Sequence, residues 1–178
     1  MIGKYGVGLD MIDLDAMRAG GVKLGWAGGV NRRSVSELVI SFAIALLRQV
    51  PTAQAEVRAG NWQQLIGREL TGKTFGIIGC GHVGKDVVKL LKPFGCKLLA
   101  NDIKSFPDFY AAHNVWAVDI ATLLEQSDVV SIHTPLDSST RNILSAERLQ
   151  LMRKDAVLIN AARGGLVDEV ALKSMLQE

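Results

Sequence analysis

An apolar run that passes directly into Gly79-Cys80-Gly81-His82-Val83-Gly84, and from there into a helical pattern, leaves a chain little choice of fold. A continuously apolar strand belongs inside a parallel sheet covered on both faces. The pattern predicts a strand over Thr74–Ile78 and a helix over Val83–Phe94, closed by Pro93 and Gly95. Gly79 permits the tight turn, Gly81 lets an anion approach the backbone, and Gly84 lets the helix pack close to the strand. The amides of His82 and Val83 then face that anion at a helix N-terminus, where the macrodipole favours negative charge.

The alternation continues. Strands are predicted at Lys97–Asn101, Asn114–Val118, Val129–His133 and Ala156–Asn160, and helices at Ile120–Gln126, Ala146–Met152 and Glu169–Gln177. Repeated β-α-β units point to an α/β fold, a Rossmann-type doubly wound parallel sheet. Five strands are counted, and the sixth is expected beyond Glu178.

The chain before residue 72 is of another kind. Asp13 caps a predicted short helix over Asp13–Ala19, stopped by Gly20-Gly21 and followed by a strand at Val22–Leu24. These pieces are too few to bury a core of their own, so residues 1–33 read as the remnant of a second domain. Residues 34–59 read as one long helix, with Ser34 and Glu37 as a capping box and a kink or end at Pro51. Leu38–Leu47 is apolar all round and is expected to be buried. The division expected is 1–33 remnant of a substrate domain, 34–71 hinge helix and linker, and 72–178 dinucleotide-binding domain, C-terminally truncated.

Composition excludes several classes. The net charge of +2 gives no field to hold nucleic acid or an anionic membrane. Leu38–Leu47 is far short of the roughly 20 residues of a membrane span. Two cysteines, Cys80 and Cys96, make no disulfide framework and read as reduced thiols. No secretory signal is visible, and the expected compartment is the cytoplasm. No metal-ligand cluster stands out.

The chemistry-bearing residues gather at predicted strand ends. Asp102 ends the second strand, at the distance where a carboxylate meets ribose hydroxyls and repels a 2′-phosphate, which favours NAD over NADP. Arg163 follows the strand Ala156–Asn160, where open α/β sheets bind ligands, and its planar fork matches a carboxylate or ketone oxygen. Ala161 and Ala162 leave room for a cofactor ring. His133 is a conceivable general base, but the structural reading is preferred. Cys80 has no base placed beside it by the sequence.

Together, Thr74–Asp102, Ser127–Leu136, Ser139–Asn142 and Leu158–Glu169 resemble the NAD-binding domain of the D-isomer-specific 2-hydroxyacid dehydrogenases. Tyr5-Gly6-Val7-Gly8-Leu9-Asp10-Met11-Ile12-Asp13-Leu14 is similar too, and is closest to the phosphoglycerate dehydrogenase branch. Ser34-Val35-Ser36-Glu37-Leu38 resembles the family's hinge-helix entry.

The resemblance implies that the amides near His82 and Val83 hold a pyrophosphate and that Asp102 holds the ribose. Thr134 and Ala161 fall at cofactor-contacting positions, and the adjoining Pro135 and Ala162 are grouped with them. Arg163 falls at the residue that orients the substrate, and Gly6, Val7 and Gly8 at a loop approaching the substrate carboxylate. The reaction implied is hydride transfer between NAD and a 2-hydroxy or 2-keto acid, in a homodimer built on Ser34–Arg48. The family's catalytic His, its Glu partner and a further Asp come later than Arg163, past Glu178. The 178-residue chain alone is therefore expected to be inactive. Two alternatives are an NAD-sensing corepressor of the same family and a hydrolase that uses bound NAD transiently.

Overall fold

The computed structural model describes residues 1–9 and 11–177; Asp10, within the Tyr5–Leu14 stretch, and Glu178 lie outside them. Five parallel strands form the main sheet: β3 (Thr74–Ile78), β4 (Lys97–Asn101), β5 (Val115–Ala117), β6 (Val129–Ile132) and β7 (Val157–Asn160). Their order is β5-β4-β3-β6-β7, so the chain winds outward in both directions from β3. Right-handed crossovers enforce this arrangement.

Alternating side chains divide β3 between two cores. Phe75 and Ile77 pack under α2 (Arg32–Leu47) and α4 (His82–Leu91) with Val39, Ala43, Leu47, Val87 and Leu91. Ile78 packs on the other face with Leu99, Leu123, Val130 and Ile132, beneath α6 (Ile120–Gln126) and α7 (Ala146–Gln150). Position 76 lies on that face too and is glycine, because a Cβ there would come within 2.5 Å of the Leu123 side chain. α8 (Glu169–Met175) follows β7 and is capped by Asp168, which accepts from the Ala171 amide at 3.0 Å.

Charge fastens the rim where the strands begin. Asp128 accepts from the Thr74 amide at 2.9 Å and lies 3.7 Å from Arg153. Arg68 pairs with Asp155 at 2.7 Å, tying the linker to the start of β7. Each exposed pair is worth at most about 1 kcal/mol, but they share residues and form a belt.

Several expectations need correction. The long helix is two: α2 ends at Leu47, and α3 (Val50–Arg58) follows after Gln49, whose φ of 55° breaks the helical path. Pro51 sits in the first turn of α3, where its missing N–H costs nothing. The capping box does not form. Ser34 lies inside α2 and its hydroxyl donates to the Asn31 carbonyl at 3.0 Å. Nor is Leu38–Leu47 buried all round. Ser36, Val39, Ala43 and Leu47 are buried, whereas Leu38, Phe42, Ile44 and Leu46 are exposed, because only one side of α2 meets α4 and the sheet.

The second short strand is β2 (Leu24–Gly25), not Val22–Leu24, and it pairs in parallel with an unforeseen β1 (Ile2–Gly3). α1 (Leu14–Ala19) has its Asp13 cap, accepting from the Ala16 amide at 2.8 Å. The remaining unforeseen element is α5 (Pro107–His113). No single helix among the described residues is long and apolar enough to cross a membrane.

Candidate cofactor and substrate site

Strand register brings the candidate residues together. Ile78 pairs with Asn101 on one side and with Ile132 on the other, and Ile132 pairs with Asn160. One row therefore crosses four strands, and the next residues along it are Gly79, Asp102, His133 and Ala161. Two backbone bonds lock the row at its centre. The Gly79 amide donates to the Asn101 carbonyl at 2.8 Å, and the His133 amide to the Ile78 carbonyl at 2.7 Å.

The glycine loop divides its tasks as its spacing predicts. Gly79 has φ of +93°, and a Cβ there would come within 2.9 Å of the His133–Thr134 backbone. At Gly84 a Cβ would collide with the Gly79 carbonyl, so the helix lies directly on the turn. Gly81 differs: a Cβ would meet nothing within 4 Å. Its space opens before the first turn of α4, which no side chain caps. Uncapped amides, open space and the positive end of a ten-residue helix suit an anion.

Asp102 is held in place beside this loop. One carboxylate oxygen accepts from the Cys80 amide at 2.6 Å and the other from the Lys104 amide at 2.8 Å. Each oxygen keeps a further lone pair for a hydroxyl donor. Thr134 carries the clearest orphan: its Oγ1 is buried without a hydrogen-bond partner. A buried hydroxyl left unpaired is costly, and a ligand polar group is a natural remedy. The open cradle at Gly81, the fixed carboxylate and this hydroxyl all fit a dinucleotide.

At the end of β7 the Arg163 loop is built by Asn160. Its Oδ1 accepts from the Ala162 and Arg163 amides at 3.2 and 3.3 Å, and its Nδ2 donates to the Arg163 carbonyl at 2.7 Å. The Arg163 guanidinium donates to the Ala162 carbonyl at 2.8 Å and folds back over the loop. Asn160 as clamp is a role the sequence reading missed; an Asx residue before a tight turn was its signal. Ala161 and Ala162 are half-buried, while Pro135 is exposed at the β6 end.

His133 lies in the row but is unsuited to proton transfer near neutrality. Its Nε2 bonds the Ser131 hydroxyl at 3.0 Å, and burial pushes its pKa down to about 4. Cys80 is equally inert: burial pushes its thiol up to about 11. The Gly6–Gly8 loop stands apart on the β1–β2 element, held where the Trp26 indole N–H donates to the Val7 carbonyl at 3.0 Å. Among the described residues no group of three or more His, Cys, Asp or Glu could hold a metal ion.

Comparison with known proteins agrees with this geometry. Residues 40–178 match the profile described as D-isomer specific 2-hydroxyacid dehydrogenase, NAD binding domain. The chain is 38% identical to the D-3-phosphoglycerate dehydrogenase of Methanocaldococcus jannaschii, over 100% of this chain and 34% of that one. It is 37% identical to the hydroxypyruvate reductase of Thermotoga maritima, over 97% of this chain and 56% of that one. Among solved structures, D-lactate dehydrogenase from Aquifex aeolicus, complexed with NAD and lactic acid, superposes with a TM-score of 0.90 at 31% identity, covering 98% of this chain and 53% of that one. The chain thus spans from about a third to just over half of these relatives. By profile, identity and superposition together, it belongs to the D-isomer-specific 2-hydroxyacid dehydrogenase family and carries that family's NAD-binding domain.

Proposed function

We propose that residues 72–178 hold NAD(H) at the β3–α4 turn and that the protein serves hydride transfer between NAD and a D-2-hydroxy acid or its 2-keto partner. The row Ile78–Asn101–Ile132–Asn160 carries this reading, because it gathers the anion cradle, the ribose carboxylate and the Arg163 loop on one rim. When bound, the cofactor supplies the hydride chemistry. The chain supplies position and charge. The Gly79–Gly84 loop offers the His82 and Val83 amides to the pyrophosphate, and Asp102 accepts from ribose hydroxyls. Thr134, Pro135, Ala161 and Ala162 flank the ring end. Arg163 grips the substrate's carboxylate and keto oxygen, with the Gly6-Val7-Gly8 amides as the second contact.

The similarity to phosphoglycerate dehydrogenase and hydroxypyruvate reductase favours a short, polar 2-keto acid. In this reading residues 1–33 belong to the substrate side, 34–71 to the hinge and linker, and 72–178 to the cofactor side. The bare apolar face of α2, with Leu38, Phe42 and Leu46, supports a homodimer through Ser34–Arg48. The free thiols of Cys80 and Cys96 suit a reducing cytoplasm. No observation favours the corepressor reading.

The test is calorimetric titration with NADH and NADPH. NADH binds more tightly, and Asp102→Ala removes about 1.5–3 kcal/mol of that preference. Gly81→Val abolishes binding without unfolding the chain, because its side chain occupies the anion's place. Equal or tighter binding of NADPH overturns the assignment of Asp102. Turnover by residues 1–178 alone is expected to fall about 10²–10⁴-fold short of ordinary rates, since the neutral, hydrogen-bonded His133 is a poor proton acceptor.

A further inference from the structure

An unbroken line of contacts runs from the Tyr5–Gly8 loop to the first turn of α4. Trp26 follows β2 directly, and its indole N–H holds the Val7 carbonyl at 3.0 Å. The benzo edge of the same ring covers Gly28, where a Cβ would come within 3.0 Å of Trp26 Cη2. The next residue, Gly29, is buried with φ of +72°, and a Cβ on it would come within 2.6 Å of His82 Cγ. No side chain therefore intervenes between the Gly29 backbone and the His82 imidazole.

The residues that follow seat this contact firmly. The Gly29 carbonyl accepts from the Arg32 amide at 3.1 Å and from the Arg32 guanidinium at 3.2 Å. Ser36, fully buried, donates to the Arg32 carbonyl at 2.8 Å and reaches the Val83 carbonyl at 3.4 Å. One turn further on, Arg33 pairs with the buried Asp86 at 3.0 Å. The segment from Gly29 to Ser36 thus rests on the first two turns of α4 at three levels.

We propose that Trp26 is a positioning residue that links the phosphate loop to the substrate loop, so that NAD(H) bound at α4 orders Tyr5–Leu9. The proposal rests on the reading of Gly6–Gly8 as the substrate-facing loop. An anion at the α4 N-terminus fixes the His82 peptide and narrows the freedom of its ring. Gly29, in direct contact with that ring, loses freedom with it. The indole, rigid and anchored over Gly28, passes the constraint to the Val7 carbonyl. A second ligand then meets a loop already partly ordered, which is positive coupling through ordering.

Amide hydrogen exchange of Tyr5–Leu9, with and without saturating NADH, tests the link, with calorimetry reporting NADH affinity. In the unaltered chain NADH slows this exchange by about fivefold or more. Trp26→Phe keeps a ring over Gly28 but lacks the N–H. It should bind NADH within about twofold of the unaltered chain, yet lose the NADH-dependent slowing. Slowing that persists in Trp26→Phe, or that is absent from the unaltered chain while NADH binds, overturns the proposal. A large loss of NADH affinity in Trp26→Phe also overturns it, since Trp26 then shapes the cofactor site itself. Failure of the unaltered chain to bind NADH at all instead overturns the nucleotide reading, and the link with it.

Discussion

From Thr74 onward the chain buries side chains on both faces of a sheet, whereas up to Gly60 the described residues bury only Gly29 and the stripe Ser36, Val39, Ala43 and Leu47 of α2. The first region is organised by long-range strand pairing. The second has one side-chain cap, Asp13 on α1, and is organised by leaning on the first: α1 buries no residue, and β1 and β2 are two residues each. A two-stranded ribbon is marginal by itself. The rim at the β3–α4 turn is thus built by the sheet itself, while the Tyr5–Leu9 loop depends on what it rests against.

The largest expected effect separates the two regions by truncation. Phe75→Ala, in the fully buried centre of β3, should cost about 3–5 kcal/mol of unfolding free energy. Met17→Ala, on α1, should cost under about 0.5 kcal/mol. Urea unfolding measures both, and equal losses would erase the contrast.

A titration sharpens it next. Folding depresses the His133 pKa from 6.5 to about 4 by burial, so the unfolded chain binds the proton more tightly. The neutral ring's stabilisation is complete above pH 6.5 and is lost as pH falls to 4, by up to about 3 kcal/mol. His133→Gln should flatten the stability profile across that window, and an unchanged acid limb would show that other groups govern it.

The smallest effect on stability falls on the bare side of α2. Phe42→Glu should leave monomer stability within about 0.5 kcal/mol while converting a dimeric mass to a monomeric one by light scattering. Ala43→Glu, one residue along on the buried stripe, should prevent folding, because it places a charge in the core. A monomeric mass for the unaltered chain at micromolar concentration would remove this face from the dimer proposal.

The sheet was legible in the sequence because its signals are local. Apolar runs such as Thr74–Ile78 and Val129–Ile132, punctuated by Gly79 and Pro135, mark central parallel strands without knowledge of their neighbours. α5 was not foreseen; in the fold Pro107 opens the helix and Tyr110 anchors it in the core. The break at Gln49 was misplaced by two residues, since proline is the louder signal but the left-handed residue before it makes the bend. At the site, the glycine spacing, Asp102 and Arg163 stood out by type and position. The contact of Trp26 with Val7, 19 residues apart, and the orphaned hydroxyl of Thr134 exist only once the chain has folded.

The belt of Asp128, Arg153, Asp155 and Arg68 lies on the rim opposite the one that gathers the glycine loop, Asp102 and the Arg163 turn. Mechanically β3, β6 and β7 act as cantilevers, clamped by charge where they begin and tied past their ends by the two backbone bonds at Gly79 and His133. Thermal displacement of a cantilever grows toward its tip, so the turns at the tips are the parts that can close around a guest without disturbing the clamp. Loop lengthening at the tips is absorbed there, while a charge reversal at the clamp acts on β3, β6 and β7 together.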